Sequence, residues 1–162
     1  MSTIFAIDPG TTQSGWVLLD GARLLYSGVC PNHDVLRWLR TGQRADLLAI
    51  EMIAGMGMTV GQSTFETVRW IGRFQEACER PEDVHFVFRR DVKLHLCGSM
   101  QAKDANVRQA LIDRFPATGG GKTPQIGTKA KPGPLYGVSS HAWSALAVAV
   151  TAAHQIGIKE AA

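Results

Sequence analysis

The feature that most constrains the fold is a set of three apolar, strand-favouring runs at the N-terminal end of the chain. The runs cover residues 3–8, 15–20 and 22–29, and the dipeptide Asp20-Gly21 separates the second run from the third. An Asp-Gly pair between two apolar runs is a strong signal for a tight β-hairpin, because both residues tolerate the backbone angles that such a turn needs. The sequence therefore predicts a three-stranded antiparallel meander at the start of the chain.

Strand-like and helical segments alternate after this meander. Residues 46–51 and 84–88 are short apolar runs typical of buried strands, and apolar residues recur at helical spacing in 33–41, 64–79 and 103–115. Strands that alternate with helices join a sheet in parallel. We therefore expect an α/β fold in which a five-stranded mixed sheet, three antiparallel strands followed by parallel strands, is flanked by helices.

Two of the helices can be described further from their side chains. The helix predicted at 64–79 follows a glycine-rich connection after the strand at 46–51. Phe65, Val68 and Ile71, together with Cys78 or Phe74, are predicted to form its buried side. Residues 139–154 are rich in alanine and predict a last helix, with small side chains that allow close packing.

The length of 162 residues suits one domain with one substantial core, so residues 1–162 are predicted to form a single domain. One stretch, 117–137, shows neither helical nor strand periodicity and is predicted to be a flexible, basic loop rich in Gly and Pro. It contains Lys122, Lys129 and Lys131 and no acidic residue. The net charge of the chain, +3, permits a polyanionic partner without requiring one.

The cysteines and the apolar runs exclude several classes of protein. Cys30, Cys78 and Cys97 are scattered and form no Cys-x-x-Cys pair, so the sequence contains no zinc framework, and we interpret them as reduced thiols. No apolar run approaches the length of a membrane span, and Asp8 interrupts the N-terminal run, which is unlike a secretory signal. We expect a cytoplasmic protein without a membrane partner.

Two predicted strands end in an acidic residue, Asp8 in the first and Glu51 in the fourth. A carboxylate at the end of a buried strand is costly unless it is paired or bound to a metal, and active sites of open α/β sheets lie at strand ends. Two acids that converge there repel each other unless a cation neutralises them, and hard oxygen ligands suit Mg²⁺ or Mn²⁺. The alternative is that each acid caps a turn or pairs with an arginine.

The segment IFAIDPGTTQSGW, which includes Asp8, resembles the first motif of the RuvC-type Holliday junction resolvases. LLAIE, ending at Glu51, is similar to their second motif, and HAWSALAVAV, beginning at His141, is similar to their third. The three motifs follow the family's order, and the resemblance covers essentially the whole chain. The segments at 61–77 and 103–116 look more like the compact resolvases of phages than like the bacterial enzymes.

The resemblance implies an RNase H-like fold, a homodimer, and two divalent metal ions per site, Mg²⁺ or Mn²⁺. It implies an endonuclease that cuts four-way DNA junctions by symmetric nicks in the cytoplasm of a bacterial or phage-infected cell. Asp8 would bridge the two metals, Glu51 would bind one, and His141 would bind the other or assist the attacking water. Two metals can activate water and stabilise the leaving oxygen of such a reaction.

The chain departs from the family pattern at Ser144, where the usual motif has its last Asp. Three explanations stay open: the site works with His141 and a weaker ligand, the substitution is inactivating, or the protein binds junctions without cutting them. Asp104 supplies the missing carboxylate only if its helix approaches the site, and otherwise it is a solvated residue near a helix start. A less selective RNase H-like nuclease acting on branched phage DNA is a further alternative.

Junction arms are polyanions, so affinity is expected to rest on Lys and Arg contacts to phosphates. The candidates for these contacts are Lys103, Arg108, Lys122, Lys129 and Lys131. Four other arginines, Arg69, Arg73, Arg89 and Arg90, either face DNA or form ion pairs. The methionines at 52, 56 and 58 alternate with small residues after Glu51, and they suit either an apolar wedge between bases or a loop at a dimer edge.

Overall fold

The computed structural model describes residues 2–42 and 44–158, so Met1, Gln43 and residues 159–162 of the predicted single domain lie outside the described residues. Five strands form one sheet: β1 (Thr3–Asp8), β2 (Gln13–Asp20), β3 (Arg23–Pro31), β4 (Leu47–Met52) and β5 (His85–Phe88). Their order is β3-β2-β1-β4-β5. β1, β2 and β3 pair antiparallel, whereas β4 runs parallel to β1 and β5 parallel to β4. The predicted mixed sheet is confirmed.

Within residues 2–42 and 44–158, five α-helices flank the sheet: α1 (Asn32–Thr41), α2 (Gln62–Ala77), α3 (Arg89–Cys97), α4 (Asp104–Asp113) and α5 (Ala142–Gln155). A single 3-10 turn, Pro81–Asp83, precedes β5. The sequence analysis did not predict α3, which begins directly after β5. Its apolar residues Val92, Leu94 and Leu96 alternate along the chain, a pattern that fits a strand as well as a helix.

Successive residues of β1 point to opposite faces of the sheet and build two cores. Ile4 and Ala6 belong to the core under α5, to which α3 and α4 also contribute. Phe5 and Ile7 belong to the core under α1 and α2. The buried alanines of α5 leave little between that helix and the sheet, as its small-residue composition predicted. α5 therefore starts close to the ends of β1 and β2.

The buried side of α2 differs from the prediction. Thr67, Ile71 and Phe74 are buried, whereas Phe65 and Val68 are exposed. The assignment of Ile71 is confirmed, and that of Phe65 and Val68 to the core is wrong. Of the two further candidates, Phe74 is fully buried and fills the core between α1 and the sheet, whereas Cys78 is half-buried. Two apolar side chains are left on its outer surface.

The segment between α4 and α5 contains neither helix nor strand, but its backbone is extensively hydrogen-bonded. The N–H groups of Gly119 and Gly133 donate to the carbonyls of Pro124 and Ile126, at 2.8 Å and 2.9 Å. Leu135 of this segment is fully buried. A methyl group on Gly133 would overlap severely with the Pro124 carbonyl, so the tight crossing of the chain requires glycine there. The predicted flexibility of the segment stays a prediction.

Two further sequence expectations concern the thiols and the membrane. Cys30, Cys78 and Cys97 are free and half-buried, as expected of reduced cysteines that take part in packing. In residues 2–42 and 44–158, none of the helices combines the length and the apolar character needed to cross a bilayer.

Candidate functional site

Asp8 and Glu51 lie side by side where two parallel strands end. Ile7 of β1 is paired in register with Ile50 of β4, so the next residue of each strand, Asp8 and Glu51, emerges at the same edge of the sheet. The two carboxyl groups are close enough for each to change the pKa of the other through a shared proton. The prediction that these two acids converge is therefore met in the structure, and we call them the acidic pair.

The acidic pair binds a proton more tightly than isolated carboxyls do. Burial raises the pKa of Asp8, and it raises the pKa of Glu51 to about 8, with the negative charge of Asp8 as the next cause. Glu51 is therefore the protonated partner at neutral pH, and its carboxyl donates a hydrogen bond to the Asp8 carboxylate. One proton relieves the repulsion between two buried acids.

His141 contacts the other side of Asp8. Its Nδ1 atom lies 3.1 Å from Oδ2 of Asp8, and its ring is largely exposed. His141 immediately precedes α5, so the start of that helix carries the imidazole to the sheet edge. Ser140, with a φ of 47°, occupies the left-handed region that side chains other than Gly seldom adopt. This turn aims the chain so that His141 reaches Asp8.

Gly15 makes room for His141. It is the partner of Asp8 on β2, and a Cβ atom built on it would lie 2.8 Å from the Cβ of His141 and closer still to the His141 carbonyl. Any side chain at this position would push the start of α5 away from the sheet. The lack of a side chain at Gly15 therefore allows His141, which immediately precedes the last helix, to contact Asp8 on the first strand.

Arg89 and Asp104 form an ion pair beside the acidic pair. Arg89 is the first residue of α3, and its Nη2 donates to Oδ1 of Asp104, the first residue of α4. The positive charge of Arg89 lowers the pKa of both Asp8 and Glu51, whereas the negative charge of Asp104 raises both. The helix that carries Asp104 does approach the site, as the sequence analysis required for a role there.

An open groove of about 630 Å³ adjoins the acidic pair and is bounded by the starts of three helices. The residues that line it include Arg89, Asp104, Arg108, His141, Trp143 and Ser144. Ser144 lies one helical turn after His141 on α5, so the two side chains share this groove, and Ser144 brings no charge to it. We call this feature the site groove.

The five predicted DNA contacts fall in different places. The Arg108 guanidinium lies over the Trp143 ring, 4.7 Å from its centroid, within the site groove. Lys103 is exposed just before α4. Lys122, Lys129 and Lys131 are exposed on the segment between α4 and α5 and are not among the residues that line the groove. Of the five candidates, Arg108 is thus the one that lines the site groove.

The donor set of the acidic pair suits a hydrated hard cation. Among the residues that the structure describes, no three His, Cys, Asp or Glu side chains are grouped so as to hold a metal ion. Mg²⁺ does not require three, because it usually keeps several waters and binds through one or two carboxylates together with substrate phosphates. Asp8 and Glu51 are adjacent, partly buried oxygen donors that share a proton, which a cation would displace. His141, a nitrogen donor, suits these cations less well.

Sequence reasoning left the role of Arg89 open and missed that of Gly15. A usable signal existed for Arg89: β5 is parallel to β4, so the residue after β5 emerges at the same edge as Glu51. For Gly15 the usable signal was its place at the start of the second strand of the predicted meander, next to the strand that ends at Asp8. In neither case does the local sequence show that α5 would pack against that edge.

Comparison with solved structures finds the same fold in two structures of RuvC from Thermus thermophilus. The chain has a TM-score of 0.64 and 22% identity to RuvC in complex with a Holliday junction substrate, covering 99% of both chains. A second RuvC structure gives a TM-score of 0.63 and 21% identity, over 98% of both chains. No protein-family model and no curated protein sequence matches the chain. At this identity the similarity shows a RuvC-like fold.

Proposed function

We propose that the chain is a divalent-metal-dependent endonuclease that cuts four-way DNA junctions by symmetric nicks. One observation carries the proposal: a partly buried acidic pair, in contact with a histidine, lies at the edge of a sheet whose fold matches RuvC bound to a Holliday junction. Buried acids that share a proton are costly to fold and are typical of functional sites. The phage-like branch and a bacterial or phage-infected cytoplasm are the setting that the sequence motifs favour.

In this proposal Asp8 and Glu51 hold Mg²⁺ or Mn²⁺, with two ions expected per site. When bound, such ions supply an activated water and stabilise the charge on the leaving oxygen of the cut strand. Glu51 must first release its proton, because a protonated carboxyl is a poor ligand. His141 either completes the ligand set or orients the attacking water, and its contact with Asp8 holds the imidazole at the reacting edge.

DNA would be held by positive charge on the same side of the molecule. Arg108 lines the site groove, and Lys103 lies at the start of the same helix. The exposed lysines at 122, 129 and 131 would contact a junction arm further from the acidic pair, where they would fix position without reading sequence. Symmetric cutting needs two active sites, so the proposal includes a homodimer.

Ser144 favours a second candidate function, a branched-DNA-binding protein with an impaired site. The serine lies in the site groove next to His141 and adds neither charge nor a good metal ligand. A third candidate, a less selective RNase H-like nuclease on branched DNA, shares the acidic pair with the first and differs only in substrate.

A cleavage assay on a labelled four-way junction tests these functions. The natural chain is expected to cut with Mg²⁺ or Mn²⁺ and not with EDTA, and Asp8→Asn is expected to bind the junction without cutting it. Three-way and Y-shaped DNA measured in parallel separate junction selectivity from general branched-DNA cutting. Cutting that survives Asp8→Asn, or that persists in EDTA, would overturn the site assignment.

A Ser144→Asp variant separates the first candidate from the second. If the natural chain cuts with metal, serine is tolerated at this position. If only Ser144→Asp cuts, the natural chain is a junction-binding protein with an impaired site.

A further inference from the structure

We propose that Arg89 binds a DNA phosphate at the acidic pair. This inference rests on the proposed function, since it takes branched DNA as the ligand of the site groove. It adds a residue that the motifs do not contain, from the start of a helix that the sequence analysis did not predict. The ligand chemistry is a phosphodiester of the bound strand.

Of the two terminal nitrogens of the Arg89 guanidinium, one has a hydrogen-bond partner and the other has none. Nη2 donates to Asp104, whereas Nη1 is buried and has no hydrogen-bond partner among the described residues. A buried donor without a partner costs free energy, and native structures retain few of them. The Asp104 contact holds the fork in place, and about 30% of the Arg89 side chain is exposed. Nη1 itself is covered, so a ligand reaches it only when the neighbouring atoms move aside. A phosphate oxygen is the acceptor that this geometry suits, because arginine binds carboxylate and phosphate with the same planar set of donors.

A DNA phosphate can bind beside the acidic pair only if a positively charged side chain offsets the negative charge of the nearby carboxylates. The carboxylates of Asp8 and Asp104 repel a phosphate, and Ser144 adds no further acid to the groove. Arg89 is close enough to act on the pKa of both members of the acidic pair. A phosphate held by Arg89 would thus lie beside the carboxylates that the proposed reaction uses, with their repulsion partly offset.

The position of Arg89 in the site groove supports the same ligand. The groove is open, and its lining includes Arg108 and the hydroxyl-bearing residues Ser139 and Ser140 as well as His141. Two arginines and two serines around an open groove suit an extended phosphodiester backbone better than a small apolar molecule. The strand would pass Arg89 and His141 together.

The next residue provides a matched control. Arg90 has the same charge and helix, but its side chain is mostly exposed, its Nε pairs with Asp91 at 3.6 Å, and its guanidinium lies over the Phe88 ring. It is not among the residues that line the site groove. Arg89→Gln and Arg90→Gln therefore remove equal charge from adjacent positions. Both side chains line a second pocket that Glu51 also lines, and of the two only Arg89 lines the site groove as well.

The first measurement is affinity for a fluorescent four-way junction in EDTA, by anisotropy over a range of salt concentrations. Arg89→Gln is expected to weaken binding about tenfold, as loss of a charged hydrogen bond predicts. It is also expected to reduce the slope of log affinity against log salt by about one. Arg90→Gln is expected to change affinity by less than about threefold, as an exposed charge does.

The second measurement identifies the phosphate. Phosphates near the branch point are replaced one at a time by neutral methylphosphonates, and affinity is measured for each protein. At one position, the methylphosphonate is expected to lower the affinity of the natural chain and of Arg90→Gln about tenfold. The same replacement is expected to leave the affinity of Arg89→Gln unchanged. Arg89→Lys keeps the charge and replaces Arg89→Gln in this series if the Gln variant fails to fold by circular dichroism.

If Arg89→Gln and Arg90→Gln bind alike and no methylphosphonate position distinguishes them, Arg89 only ties α3 to α4 and the inference is overturned. That outcome is separate from failure of the proposed function. A natural chain that does not prefer junction over duplex DNA, or does not cut with metal, counts against the proposed function. A natural chain that binds and cuts while Arg89 makes no difference counts against this inference alone.

Discussion

In the metal-free chain, keeping Asp8 and Glu51 side by side makes the stability of the fold depend on a proton bound to Glu51. The pKa of Glu51 in the folded protein, about 8, lies above its ordinary value of 4.5, so the folded state keeps a proton that the unfolded chain releases. Stability contributed by this group is complete below 4.5 and is lost as pH rises through about 8. The acidic pair therefore weakens the metal-free fold at alkaline pH and becomes favourable only when a cation replaces the proton.

Replacing Glu51 with Gln is expected to stabilise the metal-free protein at alkaline pH. The amide keeps the shape of the protonated carboxyl and never ionises, so the gain over the natural chain should be small near pH 5. Near pH 9 it should exceed about 1 kcal/mol, or a few degrees in Tm. Thermal unfolding in EDTA at the two pH values measures this difference.

Glu76→Gln, which changes an exposed glutamate on α2, is the control and should show no such growth of the gain with pH. Added Mg²⁺ should stabilise the natural chain and not Glu51→Gln. A gain from Glu51→Gln that is equal near pH 5 and near pH 9 would contradict the shared proton.

Gly15→Ala is expected to separate His141 from Asp8. The added methyl overlaps with the His141 backbone, so the start of α5 must move, at a cost of about 1–3 kcal/mol in the free energy of unfolding. Cutting should fall more than junction binding, since the acidic pair and the basic residues stay in place. Gly72→Ala, on α2 with open space around it, is the control and should stabilise by about 0.5–1 kcal/mol. Unchanged cutting by Gly15→Ala would show that His141 is not needed at Asp8.

At the scale of elements, the sheet follows from the sequence because its signals are local. The Asp20-Gly21 turn acts between neighbouring runs, and alternation with helices sets the parallel strands beside β1. The convergence of Asp8 and Glu51 then follows from parallel pairing. The turn and the individual strands depend on residues close in sequence, so local patterns predict them. The pairing of β1 with β4 is then predicted from the order of strands and helices.

The features that the sequence does not reveal depend on packing between distant elements. The outward position of Phe65 and Val68 results from Phe74 filling the core against α1, a competition that helical periodicity does not rank. The role of Arg89 depends on α3 starting at the sheet edge and on α4 bringing Asp104 to it. Contacts of this kind become visible only once the layers are assembled.

The segment between α4 and α5 is expected to resist amide hydrogen exchange. Its N–H groups at Gly119, Gly120, Gly133 and Leu135 donate to backbone carbonyls at 2.8–2.9 Å. Residues 53–60 have no such donor outside helices and strands, among the hydrogen bonds of the described residues. Exchange followed by mass spectrometry should therefore be slower in 117–137 than in 53–60. Equal, rapid exchange in both would support the flexible loop that the composition predicts.

At the scale of the whole molecule, an exposed apolar surface precedes and includes the first half of α2. Met56 and Met58 are 67% and 75% exposed, and Phe65 and Val68 are exposed one turn apart on the helix. Soluble chains seldom leave several large apolar side chains together in water without a partner. The loop at a dimer edge, one of the two interpretations of these methionines, is consistent with this surface, and it would place the second chain against α2.

Phe65→Glu is therefore expected to dissociate the proposed homodimer. Sedimentation equilibrium of the natural chain at micromolar concentration should give a mass of about 35 kDa, twice the 17.5 kDa of one chain. A charge buried at the centre of an interface costs several kcal/mol, so Phe65→Glu should shift the mass towards that of the single chain. Tyr26→Glu changes an equally exposed ring on β3 and should leave the mass unchanged.

Because symmetric nicking needs two sites, the Phe65→Glu monomer should also lose paired cutting of a junction. A natural chain of 17.5 kDa would contradict the homodimer and, with it, the symmetric mechanism.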